Sequence, residues 1–259
     1  MQPDPGSVRL MPLHPLASGF ADVANAYDRG RPEYAPTVVD ALTAELRLSP
    51  GDPVLDLAAG TGKLTRALLA AGLDVTAVEP QSPMREILAA SVGPGRVRDG
   101  LAEAIPLPDD AVAAVTVADG FHWFDQAAAL GEIARVLRPG GGLALLTMVP
   151  DWGGASWAHD VGTLVAGLRP EHPHFDGPPW QDAVRAAGGW SGLREVPLTV
   201  MQPAVADRFA DYLLSLSWIA TLPDSDREAL LERVQTIVSA GETPAELPVH
   251  VVVGLATRA

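Results

Sequence analysis

Two carboxylates flank a glycine turn in this chain, and their placing suggests a chemistry. The stretch Val54-Leu55-Asp56-Leu57-Ala58-Ala59-Gly60-Thr61-Gly62-Lys63-Leu64-Thr65 reads as an apolar strand, a small-residue turn and the start of a helix. Gly60 and Gly62 allow close backbone approach and dihedrals that a side chain forbids. The helix directs its free N–H groups and positive dipole end back at the turn, which suits an anionic or strongly polar ligand. Glu79 follows the next apolar run, 19 residues beyond Gly60. That is near the roughly 20-residue spacing of an acid that holds a ribose diol, and a carboxylate accepts from both hydroxyls. The other reading of Glu79 is a solvated strand end. Asp56 lies four residues before Gly60. It would repel a pyrophosphate and would accept from a ligand that carries an ammonium group. A dinucleotide turn wants G-x-G-x-x-G, and Thr65 stands at its third glycine. A strand-to-helix turn with no ligand is the third reading.

The elements that must position these groups follow from hydrophobic period. Ser18 is an N-cap candidate for a helix over Phe20 to Tyr27, ended by Gly30 and Pro32. Tyr27-Asp28-Arg29-Gly30-Arg31-Pro32-Glu33-Tyr34 is dense in groups that stack or hydrogen-bond, and is either a surface turn or part of a site. Pro36 opens a helix to about Leu46. A strand over Leu73 to Val78 ends in Glu79-Pro80, and Ser82 caps a helix from Pro83 to about Ala90. Asp99 to Pro106 gives a short strand and a loop. Ala111 to Ala118 is near-continuously apolar, as buried parallel strands are. A helix to Leu137 and a strand over Leu143 to Val149 follow. Alternation of this kind specifies an α/β fold, a Rossmann-like doubly wound sheet. Leu193 to Val200 is a sixth strand, Ala206 to Ser217 and Asp224 to Ala240 are helices, and Val249 to Val253 is a last strand. His122, in Phe121-His122-Trp123-Phe124-Asp125, follows a strand end where open α/β sheets gather their sites. It is either a general base, with an ordinary pKa of about 6.5, or part of a pocket wall.

Composition excludes several classes. The formal charge of −14 opposes binding to nucleic acid or an anionic membrane, both of which need a basic surface. The absence of cysteine rules out disulfides, thiol nucleophiles and zinc–thiolate sites. No run approaches the 18 apolar residues of a membrane span, and the first 17 residues hold no signal-peptide core. The expectation is a cytoplasmic protein. One lysine among many arginines, with abundant Ala, Gly and Pro, matches a high-GC bacterial genome. His159, His172 and His174 lack the i, i+4 helical spacing with an acidic third ligand, so no metal is expected, and His172 and His174 are read as solvent-exposed or lid residues.

Five motifs occur in order: Asp56 to Gly62, Glu79, Ala102-Glu103-Ala104-Ile105-Pro106, Phe121 to Asp125, and Val136-Leu137-Arg138-Pro139-Gly140-Gly141-Gly142. Together they resemble the class I S-adenosylmethionine (SAM)-dependent methyltransferases of the type-11 group, including trans-aconitate methyltransferase-like members. Ala58 replaces the usual first glycine, and Asp119 stands where many relatives carry Gln. The resemblance implies a seven-stranded, mostly parallel sheet with an antiparallel last strand at its edge. It implies that Asp56, Ala58, Gly60 and Gly62 surround the methionyl end of SAM, with Glu79 on the ribose and Pro80 beside the adenine. Ala102 and Glu103 would sit at the adenine rim, and Asp119 would face the sulfonium. Tyr27 and Arg31 would belong to an N-terminal lid (18–35), with Arg31 pairing the SAM carboxylate. Residues 1–17 would be a flexible leader, and 151–190 an insertion that covers a small-molecule acceptor. The implied activity is methyl transfer. The alternatives are a SAM-binding fold used for a non-methylating reaction such as cyclisation, or a non-enzymatic binding module.

Overall fold

The computed structural model describes residues 13–203, 206–240 and 246–259. The strands are β1 (Pro53–Leu57), β2 (Asp74–Val78), β3 (Val97–Arg98), β4 (Val112–Ala118), β5 (Leu137–Pro150), β6 (Trp190–Pro203) and β7 (Glu246–Arg258). They form one sheet in the order β3-β2-β1-β4-β5-β7-β6. Strands β1 to β5 pair in parallel, and β7 is antiparallel to both its neighbours, β5 and β6. The order reverses between β1 and β4, and the crevice beyond the strand ends there is the ligand position of open α/β sheets.

Helices cover both faces. On one, α3 (Pro36–Leu46) and α4 (Lys63–Ala70) press Val38, Val39, Leu42, Leu64 and Leu68 against the sheet. On the other, α6 (Gln126–Val136) contributes Leu130 and Ile133, and α9 (Trp180–Ala187) contributes Val184. Each such side chain stabilises the fold by about 1.5–3 kcal/mol through burial. A third cluster makes a helical cap from α7 (Ser156–Gly167), α10 (Ala206–Leu214), α11 (Ser217–Ala220) and α12 (Asp224–Ala240). The chain before the sheet forms α1 (Pro15–Ser18) and α2 (Ala24–Gly30), α5 (Ser82–Val92) follows β2, and α8 (Pro173–Asp176) follows α7.

Several boundaries differ from the sequence expectation for local reasons. Residues 14–17 are not loose: His14 caps α1 through its side chain, residues 15–17 lie in that helix, and Ala17 accepts a hydrogen bond from the Gln81 side chain. Residues 1–12 of the expected leader lie outside the described residues. Ser18 caps nothing, because its hydroxyl donates back to Pro15, and a short 3-10 turn over Gly19–Ala21 precedes α2. Ser82 is itself the first residue of α5, with Gln81 as its N-cap. Asp99 to Pro106 is not a strand beyond one isolated bridge, since α6 holds it instead. The Ile105 N–H donates to Glu132, and its carbonyl accepts from Arg135. Strand β7 is interior. Val249, Val251, Val253 and Leu255 are buried, whereas β6 alternates outward polar residues and takes the edge.

Candidate active site

The C-terminal ends of β1, β2 and β4 open into a cavity of about 660 Å³, inside the range of roughly 300–1,000 Å³ for small-molecule sites. At one end stands Glu79, 4% exposed. Its two carboxylate oxygens accept from the backbone N–H groups of Gly60 and Gln81, each at 2.9 Å. Arg85 donates to the carbonyls of Glu79 and Pro80, which fixes the backbone beside it. Burial pushes the Glu79 carboxyl up to about 7, against the pull of those N–H groups and Arg85. Pro80, Met84, Leu101 and Ala102 make the apolar wall here, and Glu103 borders it. One Glu103 oxygen accepts from the Asp125 N–H at 2.8 Å.

Backbone strain marks the turn after β1 and the end of β4, where the sequence lacks glycine. Ala58 has φ +56° and Asp119 φ +51°, both in the left-handed region. Gly60, at φ +58°, borders the cavity. Gly62 does not. It sits behind the turn at φ +89°, where a Cβ would lie 2.4 Å from a Leu88 methyl.

Asp56 also lies away from the large cavity. The pleat sends Leu55 and Leu57 toward the α6 face and Asp56 toward α4. There it accepts from Thr65 Oγ1 at 2.6 Å and Thr116 Oγ1 at 3.1 Å. It is 1% exposed, and burial lifts its carboxyl to about 6 despite those bonds. Asp56 borders only a small recess of about 30 Å³, shared with Tyr27, Arg31, Tyr34, Lys63 and Asp119.

Asp119 borders both spaces. Its Oδ1 accepts from the Met148 N–H at 3.1 Å, and Oδ2 lies 4.0 Å from Arg31. Arg31 comes from the segment after α2, over the rings of Tyr27 (5.0 Å) and Tyr212 (5.4 Å). Its Nε and Nη2 donate to Ser215, both at 2.9 Å. The N-terminal segment is thus clamped to the cap. Arg29 adds a bidentate pair with Asp211 at 2.7 and 2.8 Å.

The far end of the cavity is aromatic. His122 packs on Trp123 (4.5 Å between centroids), His174 (4.9 Å) and His172 (5.5 Å). Phe175 and Trp218 complete this wall. His172 is 3% exposed, which excludes the solvent position and leaves the other expected placing, in a lid over the cavity. Its Nδ1 accepts from the His174 N–H, and its Nε2 meets Ser217 Oγ at 2.9 Å. Desolvation and the neighbouring His174, His172 and Arg31 push His122 down to about 2. Its ring is neutral near pH 7, so the ordinary imidazole pKa expected from the sequence does not hold here. Burial and His174 likewise lower His172 to about 4.

Structure and sequence agree unevenly over the site. Tyr27, Arg31, Ala58, Gly60, Glu79, Pro80, Ala102, Glu103, Asp119 and His122 all border the large cavity. Tyr212, Leu216, Ser217 and Trp218 also do, and the sequence reading missed them. They lie on α10 and α11 or, for Leu216, in the break between them that divides the single helix expected over Ala206 to Ser217, and only the apolar face of α10 hinted at burial. The 151–190 stretch divides. Residues through α8 line the cavity, while α9 packs on the sheet beside α6. Among the described residues no group of three or more His, Asp or Glu could hold a metal, and no helix is long and apolar enough to cross a membrane.

The comparisons with known proteins concern this same frame. The family model described as a methyltransferase domain matches residues 55–145. An uncharacterised methyltransferase of Mycobacterium tuberculosis (strain ATCC 25618 / H37Rv) is 36% identical over 225 residues, covering 86% of this chain and 87% of the relative. An uncharacterised methyltransferase-like protein of Schizosaccharomyces pombe is 31% identical over 80% of each chain. A solved structure from Anaeromyxobacter dehalogenans, assigned as a type II methyltransferase, superposes with a TM-score of 0.64 at 22% identity. It covers 88% of this chain and 97% of that one. By sequence over most of its length and by its sheet, the chain belongs to the class I SAM-dependent methyltransferases.

Proposed function

We propose that the protein binds SAM in the large cavity and transfers its methyl group to a small-molecule acceptor held at the aromatic end. The observation that carries this reading is Glu79, a buried carboxylate held by two backbone N–H groups on the wall of that cavity. The donor set fits the cofactor's parts. Glu79 accepts from a ribose diol, and Pro80, Met84 and Ala102 offer apolar surface to an adenine. Asp119 accepts from an ammonium, and Arg31, held at Ser215 through Nε and Nη2, offers its remaining N–H donors to a carboxylate. Bound SAM supplies a methyl group activated by a sulfonium, open to in-line displacement.

The chain's own part is orientation and exclusion of water, and orientation alone is worth about 7–11 kcal/mol of barrier. Glu79 and Arg31 hold the two ends of the cofactor, while the cap helices and the segment from α1 to α2 close over it. Asp56 acts one layer back: through Thr65 and Thr116 it ties α4 and β4 to β1, and so fixes the turn. Gly62 serves the same end by admitting Leu88. His122, a neutral ring, shapes the wall and hydrogen-bonds the acceptor. A group that protonates only near pH 2 makes a poor general base at neutrality.

The test is release of S-adenosylhomocysteine from SAM in the presence of a small-molecule acceptor panel, followed by mass spectrometry of the methylated product. Wild-type protein is expected to turn over, and Glu79→Ala to lose SAM affinity at least tenfold. Tight SAM binding by Glu79→Ala would contradict the assignment of the ribose site.

A further inference from the structure

The aromatic end of the cavity holds a hydrogen-bond donor that the protein leaves unused. His172 Nδ1 accepts from the His174 N–H at 3.2 Å, so in the neutral ring the proton sits on Nε2. That N–H points at Ser217 Oγ, 2.9 Å away. Ser217 therefore accepts from His172 and keeps its own hydroxyl proton to give. Among the described residues no acceptor takes it, although Ser217 is 3% exposed and borders the cavity. A buried donor without a partner is unfavourable, and a ligand oxygen at this point supplies the partner.

The surroundings restrict what carries that oxygen. Trp123, Phe175 and Trp218 present ring faces and edges, and His122 and His174 add imidazoles that make no side-chain hydrogen bond among the described residues. Charge restricts it further. The cavity wall carries four carboxylates (Glu79, Glu103, Asp119, Asp125) against two guanidinium groups (Arg31, Arg169). Arg169 lies over the Phe175 ring at 4.0 Å and 3.9 Å from Asp176, so its charge is already answered. Arg31 faces Asp119 and, on the reading above, the cofactor carboxylate. Among the described residues no cation of the wall is left over for an anionic acceptor.

We infer that the acceptor is an uncharged, planar aromatic alcohol carrying a second oxygen, such as a carbonyl, that takes the hydrogen bond from Ser217. The aromatic walls stack on the ring system, and His122 or His174 receives the alcohol O–H. Ser217 is then the residue that sets specificity, with His172 as a positioning residue that fixes the direction of its hydroxyl. This inference rests on the methyltransferase reading for the word acceptor, but not for the binding itself.

The experiment is tryptophan-fluorescence titration of the full chain, with and without S-adenosylhomocysteine. The probes are 2-naphthol, 6-hydroxy-2-acetylnaphthalene and 2-naphthoate. The hydroxyketone is expected to bind at least fivefold tighter than 2-naphthol, and 2-naphthoate at least tenfold weaker than either. Ser217→Ala is expected to erase the preference for the ketone while leaving S-adenosylhomocysteine affinity unchanged, and Ser217→Thr to restore it. Equal or tighter binding of 2-naphthoate by the wild type overturns the inference, as does a ketone preference that survives Ser217→Ala. If the alanine variant fails to fold, the wild-type ranking decides. Naphthol binding with no response to S-adenosylhomocysteine would keep this inference and sink the cofactor reading instead.

Discussion

At the scale of single residues, two buried carboxylates set a pH dependence. Glu79 rises from 4.5 to about 7 and Asp56 from 3.8 to about 6, both chiefly through desolvation. A carboxyl whose folded pKa lies above its unfolded one favours folding fully below the unfolded value, and loses that contribution as pH rises through the folded one. Free protein is thus expected to be more stable near pH 5 than near pH 8, by on the order of 2–3 kcal/mol from Glu79 and 1–2 kcal/mol from Asp56, since pH 5 already lies above both unfolded values. Glu79→Gln removes one share. Thermal melts across that window check it, and a melting temperature that rises from pH 5 to pH 8 would contradict it. Cofactor binding runs the other way. The ionised carboxylate accepts from both ribose hydroxyls, so SAM affinity should rise with pH up to about 7, by up to roughly tenfold per unit. Calorimetry in buffers of differing ionisation enthalpy should show protons released on binding. No limb of the rate profile near pH 6.5 is expected from His122, whose ring stays neutral. Ala58 offers a third check. Its left-handed backbone costs an alanine about 1–2 kcal/mol, so Ala58→Gly is expected to stabilise the fold by about 1 kcal/mol or less after the entropy of glycine is counted. Denaturant titration measures it, and a loss of stability would count against the strain.

At the scale of elements, the decisive contact is α2 against α10. A Cβ on Gly30 would fall 2.2 Å from the Tyr212 nitrogen and 2.3 Å from the Asp211 carbonyl carbon, both backbone atoms that cannot swing away. Gly30→Ala is therefore expected to push α2 off α10 and open the Arg29–Asp211 and Arg31–Ser215 bonds. SAM affinity should fall at least tenfold while circular dichroism stays near wild type, because the sheet cores are untouched. Unchanged affinity would show that the clamp does not shape the site. The strand–turn–helix around Gly60 was legible because its period and glycine spacing are local properties. Helix α3 (Pro36–Leu46) and helix α12 (Asp224–Ala240) were equally legible from proline and periodicity. The position of β7 was not. Both β6 and β7 read as strands, and only the comparison of their burial tells which one is interior.

At the scale of the whole molecule, the site joins three parts of the chain: the sheet ends, the N-terminal segment and the cap. The sheet part was readable in the sequence because each strand end brings its residue by simple register. The cap was not, since Ser217 and Trp218 meet His172, and Tyr212 meets Arg31, only after packing closes the third core. Burial, which a sequence does not display, also decided the charge of His122 and the seclusion of Asp56. The central claim is that this joined cavity is a SAM site. It is tested most directly by calorimetric titration of the purified protein with SAM, S-adenosylhomocysteine and NAD in parallel. Micromolar binding of the two adenosyl ligands with NAD silent is the predicted result. Binding of NAD with silence from SAM and S-adenosylhomocysteine would contradict it.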